Sequence, residues 1–169
     1  LRRDQSLEYI DPELVITQLG VVDCAPRISN RYEREILMKF FPSIIVNKYM
    51  TLAKKTRERR PKRAYVSPEQ FRHNLKDYYQ RAYERNTDVL SIVVAPPTEW
   101  FIERSPYIPE QIEKYNGISQ NVAREFPNVS IIDPYKNTDN IDNIMLDGDG
   151  YHINPKGHEL VFEHMKQYI

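Results

Sequence analysis

Asp149 and His152 stand three residues apart in the stretch Asp147-Gly148-Asp149-Gly150-Tyr151-His152-Ile153-Asn154-Pro155-Lys156-Gly157-His158. A histidine that works as a general base needs a carboxylate on its Nδ1–H, which fixes the tautomer and stabilises the imidazolium that forms. A separation of three across a glycine-containing turn can bring both side chains to one side of a loop. A helix start at Asn154-Pro155 would then hold that loop. The same residues admit a plainer role, because Asp149, Gly150 and Asn154 are also turn and cap formers. Three of the five glycines of the chain fall in this stretch.

A base needs a nucleophile to serve. Cys24, directly after Asp23, is the alternative within the chain: a Cys-His-Asp arrangement works if the histidine stabilises the thiolate. A buried, inert thiol is the plainer reading. Ser6 has no glycine beside it to form a sharp elbow. Ser29 and Ser67 read as helix caps, and Ser91 lies within a strand. His152, His158 and His164 recur every six residues. This is not the i, i+4 spacing that puts two ligands on one helix face, so no metal or other cofactor is expected.

Three further features invite a ligand. Arg27 is placed to clamp a carboxylate or phosphate, or to be an ordinary surface arginine. Trp100, next to Phe101, can wall a sugar ring or an acyl chain, or simply pack at the rim. From Lys54 to Arg63 seven basic residues accompany Glu58 alone. That run reads as a solvated helix end favoured by the helix dipole, with polyanion or lipid-headgroup contact as the alternative.

The elements that must position these residues alternate in type. Leu14 to Gly20, Val89 to Ala95 and Val129 to Ile132 are short apolar runs closed by glycine or proline, the pattern of buried parallel strands. Ser67-Pro68-Glu69-Gln70 predicts a helix start with a capping box, followed by the stripe Phe71, Leu75, Tyr78, Tyr79 and Ala82. Pro109 opens a second helix, with Ile112, Tyr115, Ile118, Val122 and Phe126 on one face. Asn154-Pro155 opens a last one, with Val161, Phe162, Met165 and Ile169 as its expected buried stripe. The stretch 30–60 is helical in character and broken near Pro42. The alternation predicts an α/β fold with a parallel sheet. Ligands of such sheets bind beyond the carboxyl ends of the strands, here after Leu19, Ala95 and Ile132.

Composition fits one soluble domain spanning 1–169. The chain has 24 basic and 24 acidic residues, which removes a global electrostatic case for nucleic acid. One cysteine excludes an intrachain disulfide framework. No apolar stretch reaches the roughly 20 residues of a membrane span, and the expected location is cytoplasmic.

The block D-G-Y-H-I-N-P-K-G-H before an amphipathic terminal helix resembles the last motif of the SGNH (GDSL-type) hydrolases. The resemblance implies a flavodoxin-like three-layer α/β/α sandwich and a Ser-His-Asp esterase, with Asp149 as the orienting aspartate and His152 as the base. The family's central G-x-N-D motif corresponds to Gly20-Val21-Val22-Asp23. Valine stands there in place of the oxyanion-binding asparagine, and loss of one such donor costs roughly 10²–10³ in rate. The longer Q-L-G-V-V-D-C-A-P-R is similar to a branch associated with bacterial surface-polysaccharide gene clusters. That implies an acylated carbohydrate or related small-molecule ester as substrate, with O-acyl transfer or a non-catalytic binding role as alternatives. The family's G-D-S block is not found. The expectation is therefore that N-terminal βα units carrying the serine precede Leu1.

Overall fold

β-branched and apolar residues dominate the three strands of the sheet, β1 (Leu14–Gln18), β2 (Asp88–Ile92) and β3 (Val129–Ile132). The computed structural model describes residues 7–25, 31–55 and 64–169. The strands are parallel in the order β1-β2-β3, with Val15 opposite Val89 and Ile92 opposite Ile132. The remaining elements are α1 (Leu7–Ile10), α2 (Val21–Cys24), α3 (Arg31–Phe40), α4 (Ser43–Lys55), α5 (Pro68–Glu84), α6 (Glu99–Arg104), α7 (Ile108–Ala123), a 3-10 turn (Ile141–Ile144) and α8 (Pro155–Met165).

Parallel neighbours joined in sequence need crossovers, and crossovers of one hand that advance in one direction fall on one face of the sheet. α5 and α7 accordingly pack together over one face. Phe71, Leu75, Tyr78, Tyr79 and Ala82 of α5, with Ile112, Tyr115, Ile118 and Val122 of α7, share a core with Val89 and Val94. The Tyr79 hydroxyl satisfies itself inside that core by donating to Ser91 Oγ at 3.1 Å. The opposite face is covered by α8 and its approach: Ile92, Val93 and Ile132 pack with Tyr135, Ile144, Met145 and Val161. The result is a three-layer α/β/α arrangement.

Local signals act as their chemistry dictates, with two departures. Ser67 Oγ accepts from the Gln70 N–H at 3.2 Å, but the Gln70 side chain does not return to close a capping box. It runs along the helix to Asn74 Oδ1. In α8 only Val161 of the expected stripe is buried. Phe162 is exposed, because α8 meets the 3-10 turn through Val161 with Leu160 and Met165, and Ile169 is exposed beyond the end of the helix. Ahead of β1 the short helix α1 seats its fully buried Leu7 in the core.

The chain leaves the sheet after β1 and returns before α5 at one point. The Asp23 carbonyl accepts from the N–H groups of both Tyr65 and Val66, at 3.0 and 3.3 Å. The Tyr115 hydroxyl donates to the Val66 carbonyl. α3 and α4 thus belong to an excursion whose two ends are pinned together at the carboxyl edge of the sheet.

Candidate active site

The loop between β3 and α8 is folded by its own backbone. Met145 and Ile153 form an isolated antiparallel bridge. The Leu146 N–H donates to the His152 carbonyl at 2.8 Å, and the Asp149 N–H to the Leu146 carbonyl at 3.2 Å. Asn154 anchors the exit. Its Oδ1 accepts from the Gly157 N–H at 3.0 Å, capping α8, while its Nδ2 donates to the carbonyls of Asn143 and Met145, each at 3.0 Å. Gly150 is required by geometry, with φ at +80° and a would-be Cβ within 2.5 Å of Thr98 Oγ1 and 2.9 Å of Phe101 Cβ. Its carbonyl accepts from the Thr98 N–H at 3.2 Å, tying the loop to the start of α6.

On this frame Asp149 and His152 meet. Asp149 Oδ2 lies 2.8 Å from His152 Nδ1. Asp149 Oδ1 accepts from the backbone N–H groups of His152 at 3.0 Å and Tyr151 at 3.3 Å. Partial desolvation works to raise the Asp149 carboxyl. The His152 ring and the two backbone N–H groups outweigh it and hold the carboxyl below its ordinary value. Tyr151 backs the imidazole, with ring centroids 4.2 Å apart, and Phe101 backs Tyr151 at 5.2 Å. With Nδ1 committed to Asp149, Nε2 is the nitrogen left for a substrate proton.

His152 lines a cavity of about 400 Å³ together with Gln18, Val21, Val94, Ala95, Leu146, Tyr151, Ile153 and His158. These residues come from the ends of β1 and β2, the start of α2, the loop after β3 and the first turn of α8, so the cavity sits at the carboxyl edge of the sheet. Its walls are mostly apolar. Gln18 brings an amide from the β1 side, its Nε2 donating to Tyr135 Oη at 2.9 Å. Gln18 carried no signal beyond its place two residues before Gly20 at a strand's carboxyl end, which is the signal that finds it. Tyr151 and Ile153 were visible only as neighbours of His152.

The other sequence candidates fall elsewhere. Gly20 is buried at the start of α2 with φ at +118°, and a Cβ there would meet Val94 Cγ2 at 3.1 Å. Asp23 acts through its carbonyl at the neck, and burial pushes its carboxyl up. Val21 faces the cavity whereas Val22 is half exposed outside it, so neither provides a side-chain donor. Cys24 is fully buried in the core with Phe71 and Tyr115. Desolvation pushes its thiol up to about 12, and Sγ lies 3.6 Å from the Val21 carbonyl. That setting opposes the thiolate a nucleophile must form. Trp100 lies against Gly150 rather than lining the cavity, and the Arg104 guanidinium stacks 3.5 Å from its ring centre. Arg27, Ser6 and Ser29 lie outside the described residues. Among the described residues no serine lines the cavity, and no group of three His, Cys, Asp or Glu side chains is set to hold a metal ion.

Comparison with known proteins supplies the family. No match is found among curated proteins. One solved structure, provisionally described as a platelet activating factor from Streptococcus pneumonia, is similar at 14% identity and a TM-score of 0.49, over 96% of this chain and 87% of that one. The family model for GDSL-like lipases and acylhydrolases matches residues 1–160, almost the whole chain. The chain belongs to the GDSL-like lipase/acylhydrolase family.

Proposed function

We propose that this protein is a serine esterase in which His152 is the general base, Asp149 orients it, and the nucleophile is a serine outside the described residues, upstream of Leu1. The observation that carries the reading is the 2.8 Å contact from Asp149 Oδ2 to His152 Nδ1 at the mouth of an apolar cavity. The outer edge of β1 pairs with nothing among the described residues and its Ile16 is 45% exposed, so the sheet can accept a further strand there.

The serine Oγ attacks the ester carbonyl carbon as His152 Nε2 takes its proton. The carbonyl π pair moves to oxygen, then returns as the bond to the alcohol breaks, and His152 protonates the departing alkoxide. Water repeats the sequence on the acyl-serine and releases the acid. Asp149 stabilises the imidazolium in both halves. The oxyanion needs donors. The Gln18 amide and backbone N–H groups at Gly20 serve, since valine occupies the place of the asparagine. The substrate is a small acylated carbohydrate or related O-acyl ester, whose acyl group the apolar walls accept.

Turnover of a simple aryl acetate by the full-length protein tests the reading. His152→Ala is expected to lower kcat by roughly 10³-fold or more. Absent turnover, or turnover indifferent to that substitution, rejects it. Loss of acetate from an acetylated oligosaccharide to water rather than to a second sugar separates hydrolysis from acyl transfer.

A further inference from the structure

The excursion pinned at Asp23 and Tyr65 is unlike the rest of the molecule. Among the described residues of α4, Val46 alone is buried. Exposed on the same arm are Met38 at 60%, Phe40 at 69%, Phe41 at 49%, Ile44 at 69% and Ile45 at 53%. Four of these five, Phe40, Phe41, Ile44 and Ile45, surround the turn at Pro42 where α3 gives way to α4. That turn is ordered by the Ile45 and Val46 N–H groups donating to the Pro42 carbonyl. An apolar cluster of this kind, gathered at one turn, marks an interaction surface rather than scattered surface hydrophobes.

Its charge identifies the partner. Residues 31–55, from the start of α3 to the end of α4, contain six Lys or Arg and two Glu, in a chain whose total is balanced at 24 of each sign. Lys39 directly precedes the apolar tip, with Nζ 5.9 Å from the Phe40 ring centre. Lys48 lies one turn beyond Ile44 on the same helical face, at the 100° per residue of an α-helix. Lysines beside exposed aromatic and aliphatic side chains can extend their ammonium groups to lipid phosphates while their stems cover the apolar boundary. A second copy of the arm would set like charges against each other. No described helix is long and apolar enough to cross a membrane, so the arm would lie on one.

We propose that the α3–α4 arm docks the protein on the surface of an anionic phospholipid bilayer, with the tip from Phe40 to Ile45 entering the headgroup boundary and Lys39 and Lys48 facing the phosphates.

Co-sedimentation of the full-length protein with vesicles tests this. Vesicles of mixed phosphatidylcholine and phosphatidylglycerol should bind it, binding should fall with added salt, and vesicles of phosphatidylcholine alone should bind weakly. Phe41→Ser/Ile45→Ser and Lys39→Glu/Lys48→Glu should each weaken partition by about tenfold or more, with thermal unfolding and aryl acetate turnover unchanged. No partition to the mixed vesicles overturns the proposal. So does partition that both double variants leave intact, or a dimer in solution that Phe41→Ser/Ile45→Ser dissolves while vesicles bind nothing.

Discussion

The loop after β3 and the turn after β1 face the same cavity and contribute in opposite ways. The β3 loop is rich in side-chain chemistry: Asp149 and His152 are hydrogen-bonded to each other, and Asn154 satisfies three backbone groups around them. The β1 turn, from Gly20 to Cys24, contributes shape. Its valines offer no side-chain hydrogen bond, its cysteine is sealed in the core, and its aspartate is used through the backbone carbonyl. On the proposed reading the edge divides its work, with proton transfer specified by side chains on one flank and carbonyl polarisation left to main-chain geometry and one amide on the other.

Substitutions can sharpen or break that division. The largest effect should come from Asp149→Asn, which keeps the shape of the loop but can hold the wrong tautomer of His152; kcat for aryl acetate should fall by roughly 10²–10⁴. The carboxyl of Asp149 is held below its ordinary value of about 4. The stability it lends the loop is therefore present above its unfolded pKa and is lost as pH falls through the lower, folded one. An NMR titration of the Asp149 carboxyl checks the direction. Gln18→Leu removes the side-chain amide from the β1 flank and should lower kcat by about 10–10² with KM little changed. An unaltered kcat would leave that flank to the backbone alone.

Smaller effects probe the frame. Gly150→Ala forces a Cβ against Thr98 and Phe101 at positive φ, so thermal unfolding should shift down by about 1–3 kcal/mol, with a several-fold loss of turnover as the loop rebuilds. Cys24→Ser should leave kcat unchanged at temperatures where the protein is folded. It should cost about 1–2 kcal/mol of stability by burying a hydroxyl among Phe71, Tyr115 and their neighbours. Loss of turnover in that variant without loss of fold would return Cys24 to the chemistry.

The parts legible in the sequence are those set by local chemistry. The capped start at Ser67-Pro68, the stripe from Phe71 to Ala82, the run Val129 to Ile132 and the Asp149–His152 spacing each follow from a short-range rule, and each reads true in the fold. What escaped depends on distant partners. Gln18 gains its place from Tyr135, 117 residues on, and nothing near Gln18 signals that contact. Phe162 and Ile169 have the period of a buried stripe, but Phe162 faces away from the 3-10 turn that α8 packs on and Ile169 lies beyond the end of α8. Trp100, open in sequence to walling a ligand or packing at the rim, lies against Gly150, where the Thr98 N–H is tied to the Gly150 carbonyl. The match of the family model over 1–160 agrees with the resemblance carried by the terminal block.

The central claim is that His152 activates a serine for acyl transfer, and covalent trapping with a fluorophosphonate tests it most directly. The full-length protein should gain one phosphonyl group on a single serine, located by peptide mapping upstream of β1, and His152→Ala should slow the labelling by roughly 10²-fold or more. Absence of an adduct, an adduct on Cys24, or labelling equally fast without His152 would contradict the account.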